Sequence, residues 1–194
     1  VTSENAAEEA ELVVRAQRGD RAAFDILVTR YKDVLYRFIR RYIGQTDDAY
    51  DILQNCFVSA WEGLGRFDPA RPLLAWLRVI ALNKCRDFGR RQKVRRVFLK
   101  AFAIEQSTSD LVSAQPAAGA EDDAFRLAKL DHAIAALPTR YKEPLLLTVV
   151  NGLSHQEAAE TLGITSKAVE MRLYRARRNI LQAMTVAVER DGKT

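Results

Sequence analysis

The sequence predicts an all-α protein built as two small helical domains joined by a flexible linker. Three observations carry this expectation. Apolar residues recur at spacings of three and four in one segment after another, which gathers them on one buried helical face. Glycine, proline and short polar residues punctuate the ends of those segments. Between residues 106 and 123 the periodicity stops, and QSTSD, SAQPAAGA and EDD read as a tether. A chain of 194 residues, 48% hydrophobic, has material for two cores. The expected division is 1–105, a linker at 106–123, and 124–194. Fully extended, roughly 18 linker residues reach about 60 Å.

Taken in order, residues 1–9 read as a frayed acidic tail, and a short helix starts near Glu11 and stops at Gly19. Asp20 is an N-cap for a long helix whose stripe is Phe24, Leu27, Val28, Tyr31, Leu35, Phe38, Ile39 and Tyr42; Gly44 closes it. Thr46 is expected to cap the next helix, with Asp47 and Asp48 in its first turn, where the helix dipole favours anions. Its buried residues are Ile52, Leu53, Cys56, Phe57, Ala60, Trp61 and Leu64. Gly63 and Gly65 break it, the loop runs from Gly65 to Arg71, and Pro72 opens the following helix. That helix packs Leu73, Trp76, Leu77, Ile80, Ala81 and Cys85 inward, carries Arg78, Asn83, Lys84, Asp87, Arg90 and Arg91 outward, and extends towards Phe102 and Ile104.

Beyond the linker, a helix near 124–136 precedes a second that starts at Pro138 and meets a kink at Pro144 and a stop at Gly152. Ser154 and Glu157 then form a capping box. Ala159 is small where helices cross, Gly163 makes the turn, Ile164 plugs the core and Thr165 caps a last helix. The buried side of that helix is Val169, Leu173, Ala176, Ile180 and Met184. This is a helix-turn-helix pattern, whose second helix enters the major groove of DNA. Arg172, Arg175, Arg177 and Arg178 supply cations there.

Charge points the same way. The net charge is +5, and the run Lys84–Lys100 holds eight cations against Asp87 alone, a distribution that suits a polyanion. Phe67, Asp68 and Arg71 of the loop are residue types that stack on, hydrogen-bond to and neutralise an unpaired strand. Opening about ten steps of duplex costs on the order of 10–15 kcal/mol, at about 1.4 kcal/mol per step. A small helical domain needs a larger partner for that work. Nothing in the sequence favours an enzyme: His132 and His155 are far apart, and no nucleophile–base set, phosphate loop or metal-ligand spacing appears. No cofactor or metal is expected. Asp47, Asp48 and Asp51 are read as capping and solvated charges. Cys56 and Cys85 read as reduced, buried thiols. The acidic start and the absence of a membrane-length apolar run suggest a cytoplasmic protein with no direct membrane insertion.

The stretch DILQNCFVSAWEGLGRFDPARPLLAWLRVIALNKCRDFGRR resembles region 2 of the extracytoplasmic-function (group IV) sigma factors of bacterial RNA polymerase. ALPTRYKEPLLLTVVNGLSHQEAAETLGITSKAVEMRLYRARRNI resembles their region 4. The resemblance implies a non-enzymatic initiation subunit that brings core polymerase to promoter DNA. It implies that Asp51, Gln54, Phe57 and Trp61 dock on the β′ clamp helices, with further contact to β. It assigns Phe67, Asp68, Arg71, Arg78, Asn83, Lys84, Arg86 and Arg90 to the minus-ten element. Ser166, Lys167, Glu170, Met171, Tyr174 and Arg175 fall to the minus-thirty-five element. An anti-sigma factor, often membrane-anchored in the family, is the implied inhibitor. The sequence departs from the family pattern at Tyr50 and Asn55-Cys56, and SKAVEMRL replaces the commoner GTVKSRL, so Glu170 stands where a cation is usual. Two other readings fit parts of the chain: a helix-turn-helix regulator acting without polymerase, and an adaptor whose basic faces meet acidic proteins.

Overall fold

The computed structural model describes residues 3–44, 47–101 and 121–191, all in helices and short turns. Helices α1 (Ser3–Gln17), α2 (Arg21–Ile43), α3 (Asp47–Gly63) and α4 (Leu73–Ala101) form the N-terminal domain. A single 3₁₀ turn, Leu64–Arg66, follows α3. Helix α2 is the hub, packing against α1, α3 and α4. Its Leu27, Leu35, Phe38 and Ile39 are essentially inaccessible, as are Cys56 and Ala60 of α3 and Leu77 and Ala81 of α4. Each such leucine contributes about 1.5–3 kcal/mol relative to exposure. Asp20 caps α2 by accepting the Ala23 N–H, and Gly44 ends it at φ +80°, a conformation that glycine adopts without strain.

Helix α1 begins at Ser3, well before the expected start near Glu11, and its acidic residues are not a frayed tail. Glu8 pairs with Arg30, and Glu9 accepts hydrogen bonds from Tyr31 and from the Leu73 N–H. The last of these satisfies an orphan donor at the start of α4 from another helix. Thr46 and the stretch holding Phe102 and Ile104 lie outside the described residues.

The C-terminal domain comprises α5 (Glu121–Ala136), α6 (Thr139–Leu145), α7 (His155–Leu162) and α8 (Ser166–Asp191). Helix α5 takes in residues 121–123, expected in the linker. Pro138 caps α6 rather than opening it. Leu146, Leu147, Ala158, Val169, Leu173 and Ala176 make the core. Pro144 lacks the N–H that an α-turn needs, and the chain after it widens into a π-turn, Leu146–Val150. The Asn151 N–H closes that turn on the Leu146 carbonyl, and the Thr148 hydroxyl donates to the Pro144 carbonyl.

The two domains touch. Helix α2 packs on α5 and on the π-turn. A Cβ on Gly44 would stand 2.7 Å from the Ala135 Cβ, so this approach requires glycine. Arg40 and Arg41 of α2 flank Asp131 of α5 at 4.0 and 3.5 Å.

Candidate nucleic-acid and polymerase interfaces

On α3, Asp51, Gln54 and Trp61 lie along one exposed stripe, and Val58, 54% exposed, continues it. Their offsets of 3, 7 and 10 keep them on one helical face. Val58 is not among the residues the sequence suggests for this face, although its register between Gln54 and Trp61 marks it. Phe57 does not share the stripe: it is half-buried, edge-on to Phe24 at 6.5 Å. Trp61 leans on the same Phe24 at 5.0 Å, which fixes the indole while leaving one side open.

After the 3₁₀ turn, the loop proper runs from Phe67 to Pro72. Phe67 is expected to stack on a base, and the structure sets it inside the loop, lining the cavity rather than standing on the rim. Its ring is buried against Trp76, centroids 4.8 Å apart. It forms the floor of the loop because the tight turn places it over Leu64. Gln17 of α1, unmarked in the sequence reading, donates its side-chain amide to the carbonyls of Leu64 (2.9 Å) and Phe67 (2.7 Å). The loop is therefore pinned from below by two hydrogen bonds. Asp68 and Arg71 stay exposed on its rim; Asp68 accepts the Ala70 N–H, and Arg71 lies 3.8 Å from Asp68. Between rim and floor is a cavity of about 580 Å³ that also meets Pro72, Val79 and, from α7, Glu160 and Thr161.

The polar residues of α4 do not share one face. Lys84 lies about 100° around the helix from Asn83 and near Cys56, whereas Asn83 is exposed. Arg78 and Arg86 turn towards the C-terminal domain. Arg78 donates to the Asn151 carbonyl at 2.7 Å, and burial pulls its guanidinium below the ordinary range while Glu157 opposes that. The Arg78 Nε and the Asn151 side-chain amide are buried without hydrogen-bond partners among the described residues. Arg86 clasps Glu143 through two bonds of 2.7 Å, which raise its pKa. The Tyr42 hydroxyl donates to the same Glu143 oxygen at 3.1 Å, and burial, with the Glu143 charge behind it, raises the tyrosine pKa. Lys142 donates to the carbonyls of Tyr42 and Ala135, with its pKa lowered by burial. Arg90 pairs with Asp87 on its own helix. A cavity of about 960 Å³ at this junction is lined by Arg86, Arg90, Lys93, Arg140, Lys142 and Arg172 among others.

The helix-turn-helix forms as the sequence predicts. Ser154 and Glu157 complete the capping box, Gly163 takes φ +65°, and the Thr165 hydroxyl accepts the Ala168 N–H at 3.2 Å. Lys167, Glu170, Met171, Tyr174 and Arg175 of α8 are exposed, and Ser166 is half-buried in the first turn. Glu170 pairs with Lys167 at 3.0 Å. Arg175 lies beside Tyr141 and holds that hydroxyl below its usual range. The cysteines are free and buried; burial pushes the Cys56 thiol up to about 12 and raises Cys85 well above its ordinary value. Among the described residues no helix is long and apolar enough to cross a membrane, and no group of His, Cys, Asp or Glu could hold a metal.

A pinned loop before a cationic helix, tethered to a capped helix-turn-helix, defines a two-domain helical DNA-binding protein. Comparison with known proteins narrows this. Sigma-70 region 2 matches residues 27–95, and sigma-70 region 4 matches residues 127–180. The chain is 36% identical over 173 residues to RNA polymerase sigma factor CnrH of Cupriavidus metallidurans, covering 86% of this chain and 88% of that one. It is 38% identical over 168 residues to sigma factor NccH of Alcaligenes xylosoxydans xylosoxydans, covering 86% and 89%. The solved structure of CnrH in complex with the cytosolic domain of CnrY superposes with a TM-score of 0.68, at 31% identity, over 92% of this chain and 98% of that one. The chain belongs to the RNA polymerase sigma factors, in their extracytoplasmic-function group. Sigma factors are transcription regulators.

Proposed function

We propose that the two domains divide promoter recognition. The exposed α3 stripe of Asp51, Gln54, Val58 and Trp61 docks on the β′ clamp helices of core polymerase, with Phe57 supporting it from inside. The cavity behind Asp68 and Arg71 takes a base flipped from the non-template strand of the minus-ten element. Arg78, Asn83, Arg86 and Arg90 then hold the neighbouring bases and phosphates, and Lys84 reaches the strand from the other side of α4. Ser166, Lys167, Glu170, Met171, Tyr174 and Arg175 read the minus-thirty-five element in the major groove. The boundaries 1–105, 106–123 and 124–194 are the functional divisions, with α5 reaching back to Glu121.

The observation that carries this reading is the pinned loop. Two hydrogen bonds from Gln17 and the Phe67–Trp76 stack pin the loop that walls a cavity of about 580 Å³ beneath a polar rim. Rigid walls let binding go to the base rather than to ordering the loop. An anti-sigma factor is the proposed inhibitor. The relative CnrH was solved bound to the cytosolic domain of CnrY, which supports a protein partner of this kind for this chain; its anchoring in the membrane is part of the proposal.

Transcription in vitro with core polymerase, on genomic promoter fragments with and without this protein, tests the assignment. Run-off products are expected only with it, along with permanganate-reactive thymines upstream of the start site. Products without such thymines would refute the strand-binding role of the loop.

A further inference from the structure

Helix α1 lies ahead of residues 27–95, the stretch that matches sigma-70 region 2, yet it holds both ends of the loop that walls the base cavity. At the near end, Gln17 donates to the carbonyls of Leu64 and Phe67, 47 and 50 residues away. At the far end, Glu9 accepts the N–H of Leu73, 64 residues away, where the loop passes into α4. Its other carboxylate oxygen takes the Tyr31 hydroxyl of α2. Glu9 and Gln17 are eight positions apart in sequence, so they share one side of α1 at about 12 Å along its axis. Val13 and Ala16 between them are buried and hold that side against the domain. Apolar residues alone would pack α1. The two polar ones reach backbone groups of the loop, so their hold does not depend on which side chains the loop carries.

We propose that α1 fixes the width of the loop cavity, with Glu9 and Gln17 as positioning residues that decide how strictly it discriminates among bases. This rests on the reading of that cavity as the minus-ten base site. Neither side chain lines the cavity, so each acts through the backbone it holds. A cavity rejects a base of the wrong shape only when its wall does not give way, and supporting hydrogen bonds supply that stiffness. With both ends tied, the wall from Phe67 to Pro72 keeps one width. With either end released it adapts, and a poorly fitting base is admitted at little cost. The signature is therefore lost selectivity at one promoter position rather than lost binding everywhere. The two ties differ in chemistry. Glu9 supplies an acceptor to Leu73, which a glutamine there would still provide; Gln17 supplies a donor, which a methionine of similar length would not.

The test is transcription in vitro by core polymerase with the full chain, on a promoter library randomised across both recognition elements, the transcripts being read by sequencing. Wild type is expected to select sharply at the flipped minus-ten position. Gln17→Met and Glu9→Ala are each expected to flatten that preference on the order of tenfold and to leave the other positions as in wild type. Glu9→Gln is expected to retain the wild-type preference. Arg15→Ala breaks the ion pair of α1 with Asp20 and neither loop tie, so it is expected to lower the melting temperature without flattening selection. Thermal melting shows that each variant is folded, and either loop-tie variant suffices should the other lose its structure. Asp68→Ala and Arg71→Ala, on the rim, test the cavity itself. Folded loop-tie variants that leave selection unchanged, or weaken every position alike, overturn the role of α1 while altered selection in the rim variants leaves the cavity standing. Equal flattening by Arg15→Ala overturns it too, since the effect is then one of stability. Unchanged selection in the rim variants as well overturns the base-site reading and the inference with it.

Discussion

Helices α4 and α8 make an instructive pair. Each is long, 29 and 26 residues, and each carries the arginines expected of a DNA-facing helix. On α8 the outward positions are mostly open: Lys167, Glu170, Met171 and Tyr174 stand in solvent, and the ion pair among them is local and exposed. On α4, Arg78 and Arg86 are committed to groups 73 and 57 residues away. An exposed pair such as Lys167–Glu170 contributes about 0–1 kcal/mol and yields readily to DNA. Arg86 and Glu143, bidentate and partly buried, resist exchange more strongly. Residue type alone suggests a nucleic-acid face on both helices; the long-range partners of Arg78 and Arg86 distinguish the two.

The sharpest way to break the comparison is Arg86→Ala. It removes a proposed strand contact and leaves Glu143 buried with Tyr42 as its remaining described partner on the N-terminal domain. Promoter opening by the holoenzyme should fall on the order of tenfold or more, since a charged hydrogen bond contributes about 1.5–3 kcal/mol. The corresponding change on α8, Arg175→Ala, should weaken promoter binding less and leave thermal stability closer to wild type. Equal effects in an abortive-initiation assay would erase the distinction between the helices.

Glu170→Lys sharpens the α8 side. A carboxylate accepts from a cytosine amino group and repels phosphate, whereas a lysine favours guanine. The change should alter the selected minus-thirty-five base by about 1–3 kcal/mol of discrimination without touching the minus-ten sequence. Selection from a randomised promoter library reads both positions at once. An unaltered minus-thirty-five preference would remove Glu170 from the reading face.

Two glycines of left-handed backbone separate local strain from domain contact. Gly163, at φ +65°, has open space where a Cβ would go, so Gly163→Ala costs only backbone strain, about 1–2 kcal/mol. Gly44, at φ +80°, faces Ala135 at 2.7 Å, so Gly44→Ala adds a clash between the domains to similar strain. Both should lower the melting temperature by several degrees. Only Gly44→Ala should enlarge the chain in solution scattering.

Local chemistry was legible and long-range pairing was not. The helix-turn-helix could be read residue by residue because its capping box, left-handed glycine and Thr165 cap each act within four positions. Glu8 and Glu9 were misread as a frayed tail because their partners, Arg30, Tyr31 and the Leu73 N–H, lie at least 22 residues away. Phe67 looked like a stacking residue because an aromatic side chain in a loop has no periodic neighbours to assign it. Its place three positions after buried Leu64, across a 3₁₀ turn, was the available signal. Glu143, between Lys142 and Pro144, reads as an ordinary helical carboxylate; only the docking of α6 near α2 and α4 shows it gathering Tyr42 and Arg86.

The last effect concerns the thiols: Cys56 is buried in the N-terminal core, and Cys85, also buried, borders the cavity at the domain junction. Cys56 is held protonated by burial, its pKa raised from an ordinary 9.0 to about 12 with Lys84 opposing, and Cys85 is raised as well. An acid whose pKa is higher folded than unfolded favours the folded state fully only below its unfolded value. As pH rises above about 9, the unfolded chain releases thiol protons that the folded chain keeps, so stability falls. The urea midpoint should therefore drop between pH 9 and 11, and Cys56→Ala should flatten part of that slope after allowance for its own packing cost. At neutral pH neither thiol should react with iodoacetamide until the domain unfolds, because the thiolate is the nucleophile. Rapid alkylation of the native chain at either cysteine would mean that the N-terminal core opens far more readily than its packing implies.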